Sequence, residues 1–309
     1  MILKKIKSLP VVHSVIELSK KIRLPGFDGM NVHDVSGFFF IHLMENEVQS
    51  RARSIAFSFF LALFPAIIFL FTLIPYVPVE GFQDQLLSLL KDLMPPNTYE
   101  ESRSTIEDII KHERGGLLSF GILFTLYVAS NGFSSLINAF NQTHKNKTTI
   151  APLRQRLLAI GLSLFFSVLV ILAIALLISS EIVLNFLLEQ IDLKNNKAPV
   201  YLLLTGKWII LVALCFTAVS SLYYFGTAKK IRFRFISAGS TLATVLIIIT
   251  TLAFNYFIIH FGQYNKLYGS IGTLIIILSW MYFNCLQLIV GYELNAAIDS
   301  AKRHHTKIF

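Results

Sequence analysis

Two otherwise apolar stretches carry a short list of polar side chains: Asn131, Asn138 and Asn141 in one, and Asn284, Gln287, Glu293 and Asn295 in the other. Carboxamides and a lone carboxylate are poor catalysts but good binders. At membrane depth they hydrogen-bond a passing solute or hold a proton, and burying them in lipid costs free energy. Asn131 falls near the middle of its stretch, as do Asn284 and Gln287 in theirs, and the last two share a helical stripe with Asn295. Two readings compete. One is a polar route between these two helices, through Asn131, Asn284, Gln287 and Glu293. The other is a set of interhelical hydrogen bonds of roughly 0.6–2 kcal/mol each. Glu293 has natural partners in Arg51 and Arg53, just ahead of the first apolar stretch. An interfacial ion pair is the structural reading of that acid, and a coupling-proton site the functional one.

Those stretches belong to a set of six apolar runs, over about 56–76, 117–140, 157–180, 202–226, 235–259 and 271–297. Each is at least as long as the ~20 residues a helix needs to cross a ~30 Å hydrocarbon layer. A bare peptide group finds no water in lipid, so such segments must be helical. The sequence predicts an all-α membrane protein with six transmembrane helices in one domain over 35–297. A basic segment, 1–34, precedes it and a tail, 298–309, follows. Of 309 residues, 54% are hydrophobic and 15% charged, with a mean hydropathy of +0.64. Soluble domains usually carry ~25% charged residues.

The net charge of +9 taken alone would suggest nucleic acid, but its placement points elsewhere. Nineteen Lys and Arg residues fall in 1–55, 141–156, 227–234 and after 297, while eight fall in the intervening loops. Alternation of this kind is the positive-inside signature, so both termini are expected in the cytoplasm. Membrane lipids are the expected partners and nucleic acid is not. The basic start is followed by no clean apolar core with a small-residue cleavage site, so the first span is expected to direct insertion.

Ahead of the first span, Phe38, Ile41, Leu43, Met44, Val48 and Ile55 recur at three- and four-residue steps. They predict an amphipathic helix, N-capped by Asp34, at the membrane interface or against the bundle. Pro65 removes a backbone donor in mid-span and should kink that helix. Between the first two spans, Phe82, Leu86, Leu89, Leu90 and Leu93 mark one short helix, and Ile106, Ile109 and Ile110 another. Together they predict a small helical extracytoplasmic cap. Small residues at four-residue spacing (Ala213, Thr217, Ser221; Ser237, Thr241; Gly239, Ala243) fit a compact bundle or a homo-oligomer seam. No metal-spaced His/Asp cluster, phosphate loop or nucleophile elbow is present. The chain is therefore not expected to be an enzyme, nor to carry a cofactor or a metal. Cys215 and Cys285 read as small mid-helix hydrophobes, and His304 and His305 as surface residues of a flexible tail.

Three segments carry a family likeness. They are Arg51-Ala-Arg-Ser-Ile-Ala-Phe-Ser-Phe-Phe-Leu-Ala-Leu-Phe-Pro65; the second span from Gly116 to Asn141 with its Ser-Asn-Gly-Phe; and Leu267-Tyr-Gly-Ser-Ile-Gly-Thr through Trp280 to Gly291-Tyr-Glu-Leu-Asn-Ala-Ala297. In order and spacing, most of 35–300 resembles the YihY/BrkB family of bacterial inner-membrane proteins. The resemblance implies a six-helix inner-membrane protein with cytoplasmic termini. It implies little about activity: the family long carried the label ribonuclease BN, generally regarded as mistaken, and its better-known name refers to a virulence factor. Gly291, Glu293, Leu294, Asn295 and Ala296 match its closing motif, to which no catalytic role attaches. The expected function is a transporter or lipid-translocating protein using a route between spans two and six. The alternative is a non-catalytic membrane factor supporting envelope assembly or partner proteins; a ribonuclease is not expected.

Overall fold

The computed structural model describes residues 17–45, 47–73, 84, 87–88, 100, 103–104, 107–108, 115–143, 150–190, 198–227, 235–260 and 270–308. The long elements are all helical: α1 (Val32–Glu45), α2 (Val48–Leu73), α3 (Gly115–Gln142), α4 (Pro152–Gln190), α5 (Ala198–Phe225), α6 (Ala238–His260) and α7 (Ser270–Ile308). Helices α2 to α7 each contain a stretch long and apolar enough to cross a membrane, six in all among the described residues. Apart from isolated positions, the cap expected over 77–116 lies outside the described residues.

Local chemistry sets the helix ends. Asn31, rather than Asp34, caps α1: its Oδ1 accepts the Asp34 amide at 2.7 Å. A cap must lie ahead of the orphan amide it satisfies, and Asp34 already sits in the first turn. Glu47 takes a φ of +47° between α1 and α2, which separates the two helices. The first span starts at Val48, before the apolar run itself, and continues through Pro65 as one helix. Pro152 opens α4, where a missing N–H breaks no helical bond. At α6, the Ser240 amide donates to Ser237 Oγ and the Ser237 amide to Ser240 Oγ, each at 3.1 Å. That reciprocal cap starts the fifth span at Ala238, not at Phe235.

The largest departure from expectation is at the C-terminal end. Helix α7 runs on to Ile308, so the residues expected as a flexible tail are helical. They pack on α1, where Val35 meets Ile298 and Ala301. His305 Nε2 lies 2.8 Å from Asp34 Oδ2. This bond holds the Asp34 carboxyl below its ordinary range, against the opposing effect of partial burial. His305 is thus a latch on α1, not a loose surface residue. The other face of α1 leaves Phe40, Ile41 and Met44 exposed.

The six spans close into a ring. Neighbours run α2–α3, α3–α4, α4–α5, α5–α6, α6–α7 and α7–α2, so on the perimeter the first span separates the second from the sixth. Alternate members α3, α5 and α7 meet across the ring through Phe140, Tyr223 and Tyr292. Ring centroids are 4.4 Å apart for Phe140–Tyr292, 5.5 Å for Phe140–Tyr223 and 5.7 Å for Tyr223–Tyr292. All three are buried, and Tyr223 Oη donates to the Leu288 carbonyl at 2.7 Å. A buried phenol needs such an acceptor. This aromatic plug lies toward the end of the ring where α1 and the close of α7 sit, the α1 end.

Two glycines bring α6 and α7 together near the plug. A Cβ on Gly239 would collide with the Gly291 carbonyl, and one on Gly291 would lie 2.6 Å from the Gly239 carbonyl and 2.5 Å from Tyr223 Oη. Close approach substitutes for the hydrophobic effect, which lipid does not supply between helices. Gly291→Ala should therefore lower the thermal unfolding midpoint in detergent through overpacking of about 1–3 kcal/mol. Gly161→Ala, whose Cβ would enter open space, should not lower it. Circular dichroism melts of the two variants check this, and equal midpoints would contradict the close approach.

Candidate functional site

A carboxylate in a spanning helix must be paired or solvated. Glu293 on α7 is fully buried, and Arg51 on α2 is 8% exposed. Arg51 Nη2 donates to Glu293 Oε1 at 2.5 Å; Nη1 donates to Thr143 Oγ1 at 2.9 Å and to the Ala139 carbonyl at 2.5 Å. Thr143 Oγ1 in turn donates to Glu293 Oε1 at 2.8 Å. One guanidinium thus neutralises the acid of α7 and caps the carbonyl end of α3, the negative end of that helix dipole. From α1, His42 Nδ1 stands 3.5 Å from Glu293 Oε2, an ion-pair distance without hydrogen-bond geometry. Arg53 falls on the other side of α2 and is exposed. Of the two basic candidates, Arg51 meets Glu293.

The other sequence-derived residues are not brought together. Asn284 Nδ2 donates at 2.7 Å to the Trp280 carbonyl of its own helix. Gln287 Nε2 bonds Thr250 Oγ1 across the seam with α6, and its Oε1 has no partner among the described residues. What lies between the second and sixth spans is the Phe140–Tyr292 stack, aromatic rather than amide.

Asn131 leads to a side chain that charge counting assigned to a cytoplasmic loop. Arg156, one turn into α4, donates from Nη1 to Asn131 Oδ1 at 2.6 Å and from Nη2 to the Tyr127 carbonyl at 3.2 Å. Its guanidinium carbon sits 4.2 Å from the Tyr127 ring centroid. The apolar stretch of α3 is Ser119–Gln142, so Asn131 marks its midpoint, whereas Arg156 itself lies four residues into that of α4, Pro152–Ser180. A cation–π contact of this kind is worth about 0.5–2 kcal/mol. Among the described residues no acid pairs with it. Asn131 and Phe140 are half a turn out of phase on α3. With Phe140 in the plug, Asn131 and Arg156 lie on the outer flank of the ring between α3 and α4, beside Tyr127, which is 58% exposed.

The buried ion pair makes a quantitative prediction. Arg51→Met strands Glu293 and should cost about 3–5 kcal/mol of stability, most of which Arg51→Met with Glu293→Leu should restore. Thermal unfolding of both purified variants in mild detergent measures this. A double variant no more stable than the single one would show that charge pairing is not the reason for the cluster.

Residues 39–308 match the family described as virulence factor BrkB. YfkH of Bacillus subtilis (strain 168), whose name calls it ribonuclease-like, is 27% identical over 258 residues, 84% of this chain and 92% of its own length. A UPF0761 membrane protein of Chromohalobacter salexigens is 25% identical over 258 residues, 82% of this chain but 60% of its own length. UPF0761 membrane protein NTHI0384 of Haemophilus influenzae (strain 86-028NP) is 22% identical over 268 residues, covering 84% of this chain and 93% of that one. No solved structure matches the chain at a significant level.

Proposed function

Since the chain belongs to the virulence factor BrkB family of membrane proteins, a description that specifies no chemistry, we propose from its geometry that it is a transporter or lipid-translocating protein. The route is the interior of the helix ring, flanked by spans two and six, and no chemistry on the solute is part of this reading.

A shared gradient of exposure carries the proposal. On α3, Ile122 and Phe140 are five turns apart and so share a face. Exposure along it rises from 0% at Phe140 through 6% at Phe133 to 43% at Ile122. The inward face of α5 goes from 1% at Tyr223 through 3% at Val219 to 42% at Val212. That of α7 goes from 0% at Tyr292 through 5% at Cys285 to 44% at Leu274. A solid bundle would bury these faces along their length. Their joint loss of neighbours supports a funnel about 27 Å deep, narrowing onto the plug.

Asn284, two turns above Tyr292 and part-exposed, supplies a polar group near the funnel floor. Beneath the plug, Arg51 and Glu293 close the α1 end, which fits one shut gate of an alternating-access cycle. Glu293 and His42 are the groups that would take up a coupling proton. By the distribution of Lys and Arg, the closed end faces the cytoplasm, with both termini, in a bacterial inner membrane. A non-transporting membrane factor is the second reading. The tight aromatic packing favours it, and it requires no flux in any variant.

The purified protein in liposomes should carry fluorescent phospholipid or a small solute across the bilayer faster than empty vesicles do. Tyr292→Ala, which opens the plug, should raise that flux, and Glu293→Gln should lower it. Flux at the level of empty vesicles from both the wild type and Tyr292→Ala would overturn the proposal.

A further inference from the structure

The Arg156 fork is not spent by its contacts. A guanidinium carries five N–H donors, of which one on Nη1 goes to Asn131 and one on Nη2 to the Tyr127 carbonyl. Both acceptors are neutral, so the positive charge stays uncompensated among the described residues. Glu293, the buried acid of the ring, is engaged by Arg51 and Thr143.

The direction of the side chain is equally informative. A residue near the start of α4 has its Cα–Cβ bond tilted toward the helix N-terminus, which would help an arginine reach water at the α1 end. Its neighbour Gln155 does stay lower, with Nε2 bonded to Ser134 Oγ at 2.7 Å. Arg156 instead reaches the Tyr127 carbonyl, roughly 10 Å further along α3. It is braced by an amide and an aromatic face, on the outer flank of α3 and α4.

We propose that Arg156, braced by Asn131 and Tyr127, binds the phosphate of a phospholipid headgroup on the flank between α3 and α4. A planar fork with spare parallel donors matches two phosphate oxygens, and the phosphodiester supplies the single negative charge the site lacks. Free inorganic phosphate shares that chemistry. The lipid is the source favoured by position, because the site opens on the outer flank of α3, on the face opposite Phe140. The inference goes beyond the funnel reading: binding here would persist in a protein whose funnel carried nothing.

The test is equilibrium binding to the full-length protein in detergent, read by native mass spectrometry. The probes are phosphatidylglycerol, diacylglycerol with the same acyl chains, and inorganic phosphate as competitor. Wild type should bind phosphatidylglycerol about tenfold or more tightly than Arg156→Gln does, a difference of about 1.4 kcal/mol. Diacylglycerol should bind both equally, and inorganic phosphate should not displace the lipid. Equal phosphatidylglycerol affinity in the two proteins, a parallel loss of diacylglycerol, or displacement by inorganic phosphate would each overturn the proposal. Should Arg156→Gln fail to fold, Arg156→Lys decides. A compact ammonium in place of the fork should bind the phospholipid severalfold more weakly, and unchanged affinity would overturn the assignment.

Discussion

Burying Glu293 inside a spanning helix is tolerable because the Arg51 guanidinium meets it at 2.5 Å, and much of the α1 end follows from that requirement. To reach the acid, α2 must start its helix before its apolar run and bring Arg51 in beside α3. There the same guanidinium takes the Ala139 carbonyl and the Thr143 hydroxyl. The plug is coupled to this cluster through the chain itself. Tyr292 precedes Glu293, and Phe140 follows Ala139, so each helix turns a charged contact toward α2 and an aromatic ring toward the centre. Separating Arg51 from Glu293 would shift the backbone that aims both rings.

Lipid made the six spans legible, since a long apolar run in a bilayer has one stable conformation. Helix ends were less legible because caps decide them. Asn31 and Ser237 took those roles by hydrogen bonds that apolar patterning does not register. The continuation of the final helix past 297 was missed although Leu294, Ile298, Ala301 and His305 keep a three- and four-residue spacing beyond the last apolar run. Charges nearby suggested a tail, but α1 supplies the surface that this stripe covers.

At the site, a basic partner for Glu293 could be inferred because a buried acid demands one. Thr143 could not, since it lies outside the apolar runs; His42 does interrupt the apolar run Phe38–Met44, but nothing in that pattern points to Glu293. Arg156 was counted by its sequence position, which records where a Cα lies and not where the six bonds from Cα to Nη carry the charge. Its placement one turn after Pro152, inside the helix, was the available signal. The stripe of Asn284 and Gln287 was read within one helix. Which neighbour it meets depends on the order of spans around the ring, and composition does not encode that order.

The ring therefore combines a sealed α1 end, inward faces that lose their packing toward the far end, and a braced cation on its outer flank. The funnel is the central claim, and water access along one helical stripe tests it most directly. In a cysteine-free background, Ile122→Cys, Leu126→Cys, Phe133→Cys and Phe140→Cys can be labelled one at a time in vesicles with a membrane-impermeant thiol reagent from the far side. Fast labelling at 122 and 126, falling to none at 140, is the expected result. Uniform protection along the stripe would mean a solid bundle, and labelling at 140 would mean that the plug does not close.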